Sequence, residues 1–186
     1  MNSERNVVEV FYDQIEKFLT SDAEVLDVGS NVGRIGRLIS PRVKTITLLD
    51  PDLAVLKSAE KRFMEARLEN ANFIHSDFSH LKAQRQFDII LFFLSLHHIE
   101  DIESTFARCR TLLKDGGLLI VGDFYTENIL YPFHEYDRVP HNGFSLKKLQ
   151  EQLCLHGFKV KEFSNFYLLT KNGQQYPLFV LVAKIK

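Results

Sequence analysis

Apolar residues repeat along the chain with two alternating periods. Phe11, Ile15 and Phe18 recur at helical spacing and predict a helix over 7–19. Further on, short continuous apolar runs alternate with stretches of helical spacing, which is typical of strands buried on both faces of a parallel sheet. These strands are predicted over 24–28, 45–49, 72–75, 88–93 and 118–122. The helices between them are predicted over 32–39, 53–68 and 101–113.

The end of the chain departs from this alternation. After a predicted helix over 145–156, two strand-like runs at 158–170 and 178–184 are separated by a short segment containing Asn172-Gly173. A connection this short can form a hairpin but cannot hold a crossover helix, so the last strand is expected to run antiparallel to its neighbour. The pattern therefore predicts a three-layer α/β sandwich around a seven-stranded, mostly parallel sheet with a C-terminal antiparallel strand.

Composition limits the number of domains and the kinds of partner that this chain can have. The chain has 186 residues, 45% of them hydrophobic, which suffices for a single domain over 1–186. A formal net charge of -1 offers no global attraction for a polyanion, so no nucleic-acid partner is expected. No apolar run reaches the ~18 residues that span a bilayer, and no signal sequence is evident, so we expect a cytoplasmic protein without membrane association. Cys109 and Cys154 lie in apolar helical patterns without metal-ligand spacing, so no metal site is expected.

A glycine-containing loop, Asp27-Val-Gly-Ser-Asn-Val-Gly33, follows the first strand. It directs backbone N–H groups to the carboxyl edge of the sheet, where open α/β folds bind ligands. Asp50 ends the next strand, and a carboxylate there can accept hydrogen bonds from both hydroxyls of a ribose. Each feature also has a purely structural interpretation, the loop as a simple turn and Asp50 as a helix N-cap beside Pro51. Their combination favours a nucleotide-type cofactor.

These segments resemble the motifs of class I methyltransferases that use S-adenosylmethionine, especially the small-molecule enzymes of the ubiquinone-biosynthesis type. The run 25–33 resembles the first motif, whose loop wraps the methionine part of the cofactor, and 48–52 resembles the second, whose acidic residue holds the ribose. The run 75–78 resembles the third motif, in which an aspartate faces the adenine amino group and the next residue packs on the ring. The resemblance implies a cofactor site formed by Asp27, Gly29, Ser30, Asn31, Gly33, Asp50, Pro51, Asp77, Phe78 and Phe93.

The expected activity is transfer of a methyl group from S-adenosylmethionine to a small-molecule acceptor by in-line displacement. Asn31 stands where the family has its middle glycine, which keeps open a catalytically weak or inactive protein that binds S-adenosylmethionine in a regulatory role. A nicotinamide-dependent oxidoreductase is less favoured, because its fingerprint requires glycines where this chain has Asn31 and Arg34.

The acceptor is expected on the side of the segment Asp123 to Phe144, which is too long for a simple turn and is predicted to form a substrate-side cap. Its aromatic residues suit an apolar or aromatic acceptor. If the acceptor carries a proton, a nearby base assists the transfer, and histidine is well matched at neutral pH. The candidate bases are His97, His134 and His141. His97 and its neighbour His98 follow the fourth strand at the mouth of the predicted site, and helix capping or packing is the alternative role of both.

Overall fold

The computed structural model describes residues 6–82, 86–125, 133 and 139–186, and in them helices and strands alternate as predicted. The strands are β1 (Glu24–Val28), β2 (Thr45–Asp50), β3 (Ala71–His75), β4 (Phe87–Phe93), β5 (Leu113–Phe124), β6 (Phe158–Lys171) and β7 (Gln174–Ile185). The helices are α1 (Val7–Ile15), α2 (Arg34–Ile39), α3 (Leu53–Glu65), α4 (Ile102–Leu112) and α5 (Leu146–Leu155). The strands form one seven-stranded sheet in the order β3-β2-β1-β4-β5-β7-β6.

Strand direction in this sheet follows from the connections between strands. The neighbours among β1 to β5 are parallel, as expected when helices join successive strands. β7 runs antiparallel to both β5 and β6, and it joins β6 through Asn172 and Gly173 alone. These two residues have φ angles of 51° and 76°, the left-handed pair that a tight hairpin turn requires. The predicted seven-stranded sheet with one reversed strand is confirmed.

Helices cover both faces of the sheet and complete three layers. On one face, buried residues of α1, α2 and α3, such as Phe11, Ile39 and Phe63, pack against the central strands. On the other face, Phe106 of α4 and Leu153 of α5 lie in a second cluster of buried residues. Among the residues that the structure describes, no helix is long and apolar enough to cross a membrane.

Three details differ from the predictions. β5 begins at Leu113, whereas the apolar run predicted a strand from 118, and Gly116 in this irregular strand start has a positive φ of 74°. β7 begins at Gln174, and the hairpin is longer than the apolar pattern alone indicates. The two cysteines share an apolar helical pattern in the sequence but differ in the structure: Cys154 is exposed, whereas Cys109 is buried, and burial raises the pKa of its thiol.

The helices beside the carboxyl edge of the sheet begin at side-chain caps. Asp52 precedes α3, and its Oδ1 accepts hydrogen bonds from the backbone N–H groups of Ala54 and Val55 at 2.7 and 3.3 Å. Asp101 precedes α4 and accepts from the N–H of Ser104 at 2.9 Å. Such caps satisfy N–H groups that have no partner within the helix, and they fix where each helix starts relative to the sheet edge.

Candidate functional site

A cavity of about 870 Å³ lies at the carboxyl edge of the parallel strands. It opens where β1, β2 and β4 end, which is the usual ligand position in open α/β sheets. Six of the residues that the sequence predicted for a cofactor site line this cavity: Gly29, Asn31, Asp50, Pro51, Asp77 and Phe78. The structure therefore brings together residues from three separate motifs.

The glycine loop is held against the ends of the neighbouring strands. The N–H groups of Gly29 and Ser30 both donate to the carbonyl oxygen of Leu49, at 2.8 and 3.1 Å. Gly29 has a φ of 68°, and a Cβ there would lie 2.6 Å from the Cβ of Ser95. Only glycine fits this position, because both the backbone conformation and the close approach of β4's end exclude a side chain.

Asn31 occupies the middle of the loop without disturbing it. Its φ of 48° is in the left-handed region, which asparagine tolerates better than most residues. Its N–H donates to Oδ2 of Asp50 at 2.8 Å, and its own Oδ1 accepts from the N–H of Val32 at 2.6 Å. Asn31 thus has a left-handed backbone conformation in the position where the resembling family has glycine.

The carboxylate of Asp50 is fixed at the cavity wall. Asp50 is 7% exposed, and in addition to Asn31 it accepts a hydrogen bond from the N–H of Asp52 at 2.9 Å. The structural interpretation of Asp50 as the helix N-cap is wrong, because Asp52 caps α3. Two backbone donors hold the Asp50 side chain in one orientation beside the glycine loop.

Four other residues predicted for the cofactor site do not line the cavity, for reasons of packing. Gly33 directly precedes α2 and has a φ of 70°. A Cβ on Gly33 would lie 3.0 Å from the ring of Phe63. Phe93 stacks on Phe11 of α1 with ring centroids 4.3 Å apart. The remaining two, Asp27 and Ser30, are buried beneath the loop.

Asp27 and Ser30 leave polar atoms unpaired under the loop. Asp27 is 1% exposed, and within the described part of the chain neither its Oδ2 nor the Oγ of Ser30 has a hydrogen-bond partner. Burial, and secondarily the negative charge of Asp50, raise the pKa of the Asp27 carboxyl to about 7. A carboxyl in this position is therefore close to half protonated at neutral pH.

Apart from His98, the opposite wall of the cavity was not predicted from the sequence. It includes Leu94, Ser95 and His98 after β4, together with Ser104 and Arg108 on α4. Leu94 has a φ of 52°, an unusual conformation for a leucine, and its N–H donates to the carbonyl oxygen of Gly122 at 2.7 Å. Nothing in the residue types of this segment signals such a backbone, and the helical spacing of α4 indicates only a packed helix.

The candidate histidines fall in different environments. His97 is 2% exposed, its Nδ1 is hydrogen-bonded to Oδ1 of Asp123 at 2.8 Å, and it does not line the cavity. His141 lies beside a separate depression of about 310 Å³, with its Nε2 3.2 Å from the carbonyl oxygen of Glu100. His134 lies outside the described residues. The histidine that lines the large cavity is His98, whose ring centroid is 4.1 Å from that of His97.

The predicted cap is described only in part. Asp123 and Phe124 belong to β5, so the irregular segment starts later than the sequence indicated. Phe133 packs against Phe124, with ring centroids 4.9 Å apart, and Lys171 of β6 holds it from the other side. The Nζ of Lys171 donates to the carbonyl oxygen of Phe133 at 2.6 Å and lies 4.5 Å from the centroid of its ring. Aromatic packing thus connects the described part of the cap to the terminal hairpin.

Comparison with known proteins identifies the family. A family model described as a methyltransferase domain matches residues 26–119, which is more than half of the chain. The chain belongs to the S-adenosylmethionine-dependent methyltransferases. This membership confirms the family and the cofactor inferred from the sequence. In the described residues no group of three or more metal-ligating side chains is close enough to hold a metal ion.

Individual relatives agree on the domain but differ in their acceptors. An uncharacterised methyltransferase of Mycobacterium bovis is 32% identical over 106 residues, which cover 56% of this chain and 52% of the relative. A ubiquinone biosynthesis O-methyltransferase of Stutzerimonas stutzeri is 30% identical over 95 residues, 50% of this chain and 41% of the relative. An uncharacterised RNA methyltransferase of Mycoplasma mobile is 32% identical over 73 residues, 39% of this chain and 20% of the relative. The chain thus spans about half the length, or less, of these curated relatives.

The fold as a whole is also found among solved structures. An S-adenosylmethionine-dependent methyltransferase of Methanosarcina mazei superimposes with a TM-score of 0.79 at 21% identity, covering 94% of this chain and 97% of that one. At this identity the likeness supports the fold alone. Nearly all of the chain, including the terminal hairpin, therefore takes part in a known methyltransferase architecture.

Proposed function

We propose that this methyltransferase transfers the methyl group of S-adenosylmethionine to a small-molecule acceptor. The observation that carries the proposal is the fixed carboxylate of Asp50 at the wall of the large cavity, next to the glycine loop. A carboxylate held by two backbone N–H groups keeps free lone pairs in a constant direction, as recognition of a ribose diol requires. Asp77 and Phe78 lie on the same cavity and suit the adenine end of the cofactor.

The residues of the cavity fit this cofactor in size and chemistry. The volume of about 870 Å³ lies within the ~300–1,000 Å³ that is common for small-molecule sites. The loop from Gly29 to Gly33 would hold the methionine part, Asp50 the ribose, and Asp77 with Phe78 the adenine. The unpaired Oδ2 of Asp27 and Oγ of Ser30 lie outside this cavity, and no cofactor contact is assigned to them.

The bound cofactor would supply a methyl group on a positively charged sulfur. The protein's contribution is positional, because displacement at a methyl carbon requires the acceptor and the donor sulfur in line and shielded from water. Leu94 is suited to this task, since it lines the cavity and also packs in the apolar cluster of Phe124 and Tyr176. We expect the acceptor to lie beyond Leu94, over the ends of β4 and β5.

A small apolar or aromatic acceptor is favoured over RNA. The described part of the cap contributes Phe133, which packs with Phe124 and Tyr176 at centroid distances of 4.9 and 5.1 Å. The formal charge of -1 provides no general attraction for a polyanion. One relative named as an O-methyltransferase of ubiquinone biosynthesis is consistent with such an acceptor, while one named as an RNA methyltransferase makes RNA the alternative to test.

The regulatory alternative rests on Asn31 in place of the middle glycine. Asn31 adopts a left-handed conformation with a φ of 48°, which is compatible with an active cofactor loop, and the transfer assay below decides between the two. His98 replaces His97 as the histidine best placed to take a proton from an acceptor, because it lines the cavity whereas His97 is buried against Asp123. A general base is required only if the acceptor carries a proton.

The test has two stages with separate outcomes. Titration calorimetry should detect binding of S-adenosylmethionine and S-adenosylhomocysteine, with NAD as a control that does not bind; absence of binding at millimolar concentration would refute the proposal. Transfer of a radiolabelled methyl group should then be assayed with phenols, catechols and hydroquinones in one panel and with total RNA in another. Label in RNA alone would replace the small-molecule acceptor, and binding without transfer to any panel would favour a regulatory protein.

A further inference from the structure

Arg108 joins helix α4 to the segment that follows β3. Its Nε donates a hydrogen bond to the carbonyl oxygen of Phe78 at 2.7 Å, and its Nη2 donates to the carbonyl oxygen of Leu81. Its guanidinium carbon lies 5.9 Å from the centroid of the Phe78 ring. The side chain is half-buried and lines the large cavity. One arginine thus contacts the segment 77–81, here called the adenine-side wall, at three points.

The adenine-side wall has little structure of its own. It consists of a single 3₁₀ turn, Phe78–His80, closed by hydrogen bonds from the N–H of His80 to Asp77 at 3.0 Å and from the N–H of Leu81 to Phe78 at 3.3 Å. A turn this short is not stable by itself, because the ordering of several backbone dihedrals is balanced by very few hydrogen bonds. External contacts must therefore hold it in place.

Two sets of contacts supply this support. The ring of Phe78 packs edge-on against Phe92 of β4, with centroids 5.4 Å apart, and anchors the start of the turn to the sheet. The planar guanidinium of Arg108 spans the carbonyl oxygens at the start and the end of the turn. A lysine in this place could reach one carbonyl but not bridge two in a fixed geometry, since its ammonium is a single point donor.

We propose that Arg108 is a positioning residue that sets the distance between the adenine-side wall and the ribose site at Asp50, and thereby the selectivity for the adenine base. The inference rests on the proposed binding of S-adenosylmethionine in this cavity. Asp77 and Phe78 can recognise the amino group and the face of adenine only if their backbone stays in register with Asp50. Arg108 acts through them and need not touch the base.

The first experiment does not depend on any ligand. Hydrogen exchange followed by mass spectrometry should compare the ligand-free wild type with Arg108→Met and with Arg110→Met. Arg110 lies on the same helix and does not line the cavity, so it is a matched control. We expect Arg108→Met to speed exchange about tenfold in peptides covering 76–82 and nowhere else, because local opening becomes easier. Unchanged exchange in these peptides, or equal acceleration by Arg110→Met, would overturn the inference.

The second experiment measures selectivity. Calorimetry should give the Kd of S-adenosylhomocysteine and of S-inosylhomocysteine, in which a carbonyl replaces the adenine amino group. We expect Arg108→Met to raise the Kd of the adenosyl ligand about tenfold and that of the inosyl ligand clearly less, because the inosyl ligand shares the contact with the Phe78 ring but lacks the amino group. Arg108→Lys should lie between Arg108→Met and the wild type. A lower melting temperature with an unchanged ratio of the two Kd values would assign Arg108 a purely structural role. Failure of the wild type to bind either ligand would instead refute the proposed function, while the exchange experiment would still decide the role of Arg108.

Discussion

Two aspartates at the glycine loop show how position decides the chemistry of identical side chains. Asp50 receives two backbone hydrogen bonds and faces the cavity. Asp27 lies beneath the loop, and its Oδ2 has no described partner. Burial without donors favours the neutral acid and raises the pKa of the Asp27 carboxyl. The two residues therefore predict different responses to substitution.

Asp50→Ala is expected to weaken S-adenosylhomocysteine binding at least tenfold, because it removes the proposed acceptor for the ribose hydroxyls. Its stability cost should be modest, about 1–2 kcal/mol, since two backbone N–H groups lose their acceptor at the edge of a cavity open to water. The control is Asp52→Ala, which removes the cap of α3 and costs about 1 kcal/mol without changing the affinity. Calorimetry and urea unfolding measure both quantities, and equal affinities for the two variants would contradict the role of Asp50.

Asp27→Asn is expected to stabilise the protein more at alkaline than at acidic pH. The pKa of this carboxyl is raised from 3.8 to about 7 in the folded state, chiefly by burial, so the folded state holds its proton more tightly than the unfolded state. Stability from this group is therefore lost as the pH rises from about 4 to 7, and it stays low above that window. The asparagine does not titrate and escapes the loss.

Urea unfolding of the wild type and Asp27→Asn at about pH 5 and pH 8 measures this effect. The difference in unfolding free energy between the two proteins should shift in favour of the variant by about 2 kcal/mol between these pH values. Other titrating groups are common to both proteins and cancel in the difference. A difference independent of pH would mean that Asp27 is ionised throughout.

At the scale of elements, the close approach of α1 to the sheet depends on one glycine of β5. A Cβ at Gly122 would lie 2.3 Å from the ring of Phe11, which itself stacks on Phe93. We expect Gly122→Ala to destabilise the protein by about 1–3 kcal/mol, because a rigid ring packed on strands cannot give way easily. Phe11→Leu alone should also destabilise, by about 1 kcal/mol, through lost packing.

A double-mutant cycle tests whether the two residues are coupled. Leucine at position 11 leaves room for the new methyl group, so the double variant should be more stable than the sum of the single effects predicts, by at least about 1 kcal/mol. Urea denaturation of the four proteins provides the measurement. Additive effects would show that Gly122 is required for a reason other than its contact with Phe11.

Most elements were predictable because their apolar periods reflect burial on one or both faces. The predictions are wrong where tertiary contacts, and not the local spacing of apolar residues, determine where an element begins. β7 extends back to Gln174 because Tyr176, 2% exposed, packs with Phe124, a contact that spacing alone cannot indicate. The same holds for the start of β5, which was predicted at 118 but lies at Leu113, because the residues before the apolar run also join the sheet.

At the scale of the whole molecule, the candidate site collects short segments from the ends of several strands. Six predicted residues line the cavity because each belongs to a segment with a recognisable order of residue types. Leu94 and Arg108 on the opposite wall were missed, because their positions depend on a left-handed backbone at Leu94 and on the packing of α4 against the segment after β3. Phe93 was predicted to belong to the cofactor site but does not line the cavity, because alternation along β4 turns its side chain toward α1.

Because these segments are joined through one continuous sheet, cofactor binding should stabilise the molecule as a unit. S-adenosylhomocysteine at about 100 times its Kd should add about 2.7 kcal/mol to the unfolding free energy and raise the midpoint of a single transition by several degrees. NAD at the same concentration should leave the midpoint unchanged. At the same ligand concentration, the ligand should raise the unfolding free energy of Asp50→Ala by less than that of the wild type. The difference should be at least about 1.4 kcal/mol, because the affinity of the variant is at least tenfold lower. A melting profile that splits into two transitions on binding would show that the cavity belongs to a separately folding part of the chain, contrary to the continuous sheet.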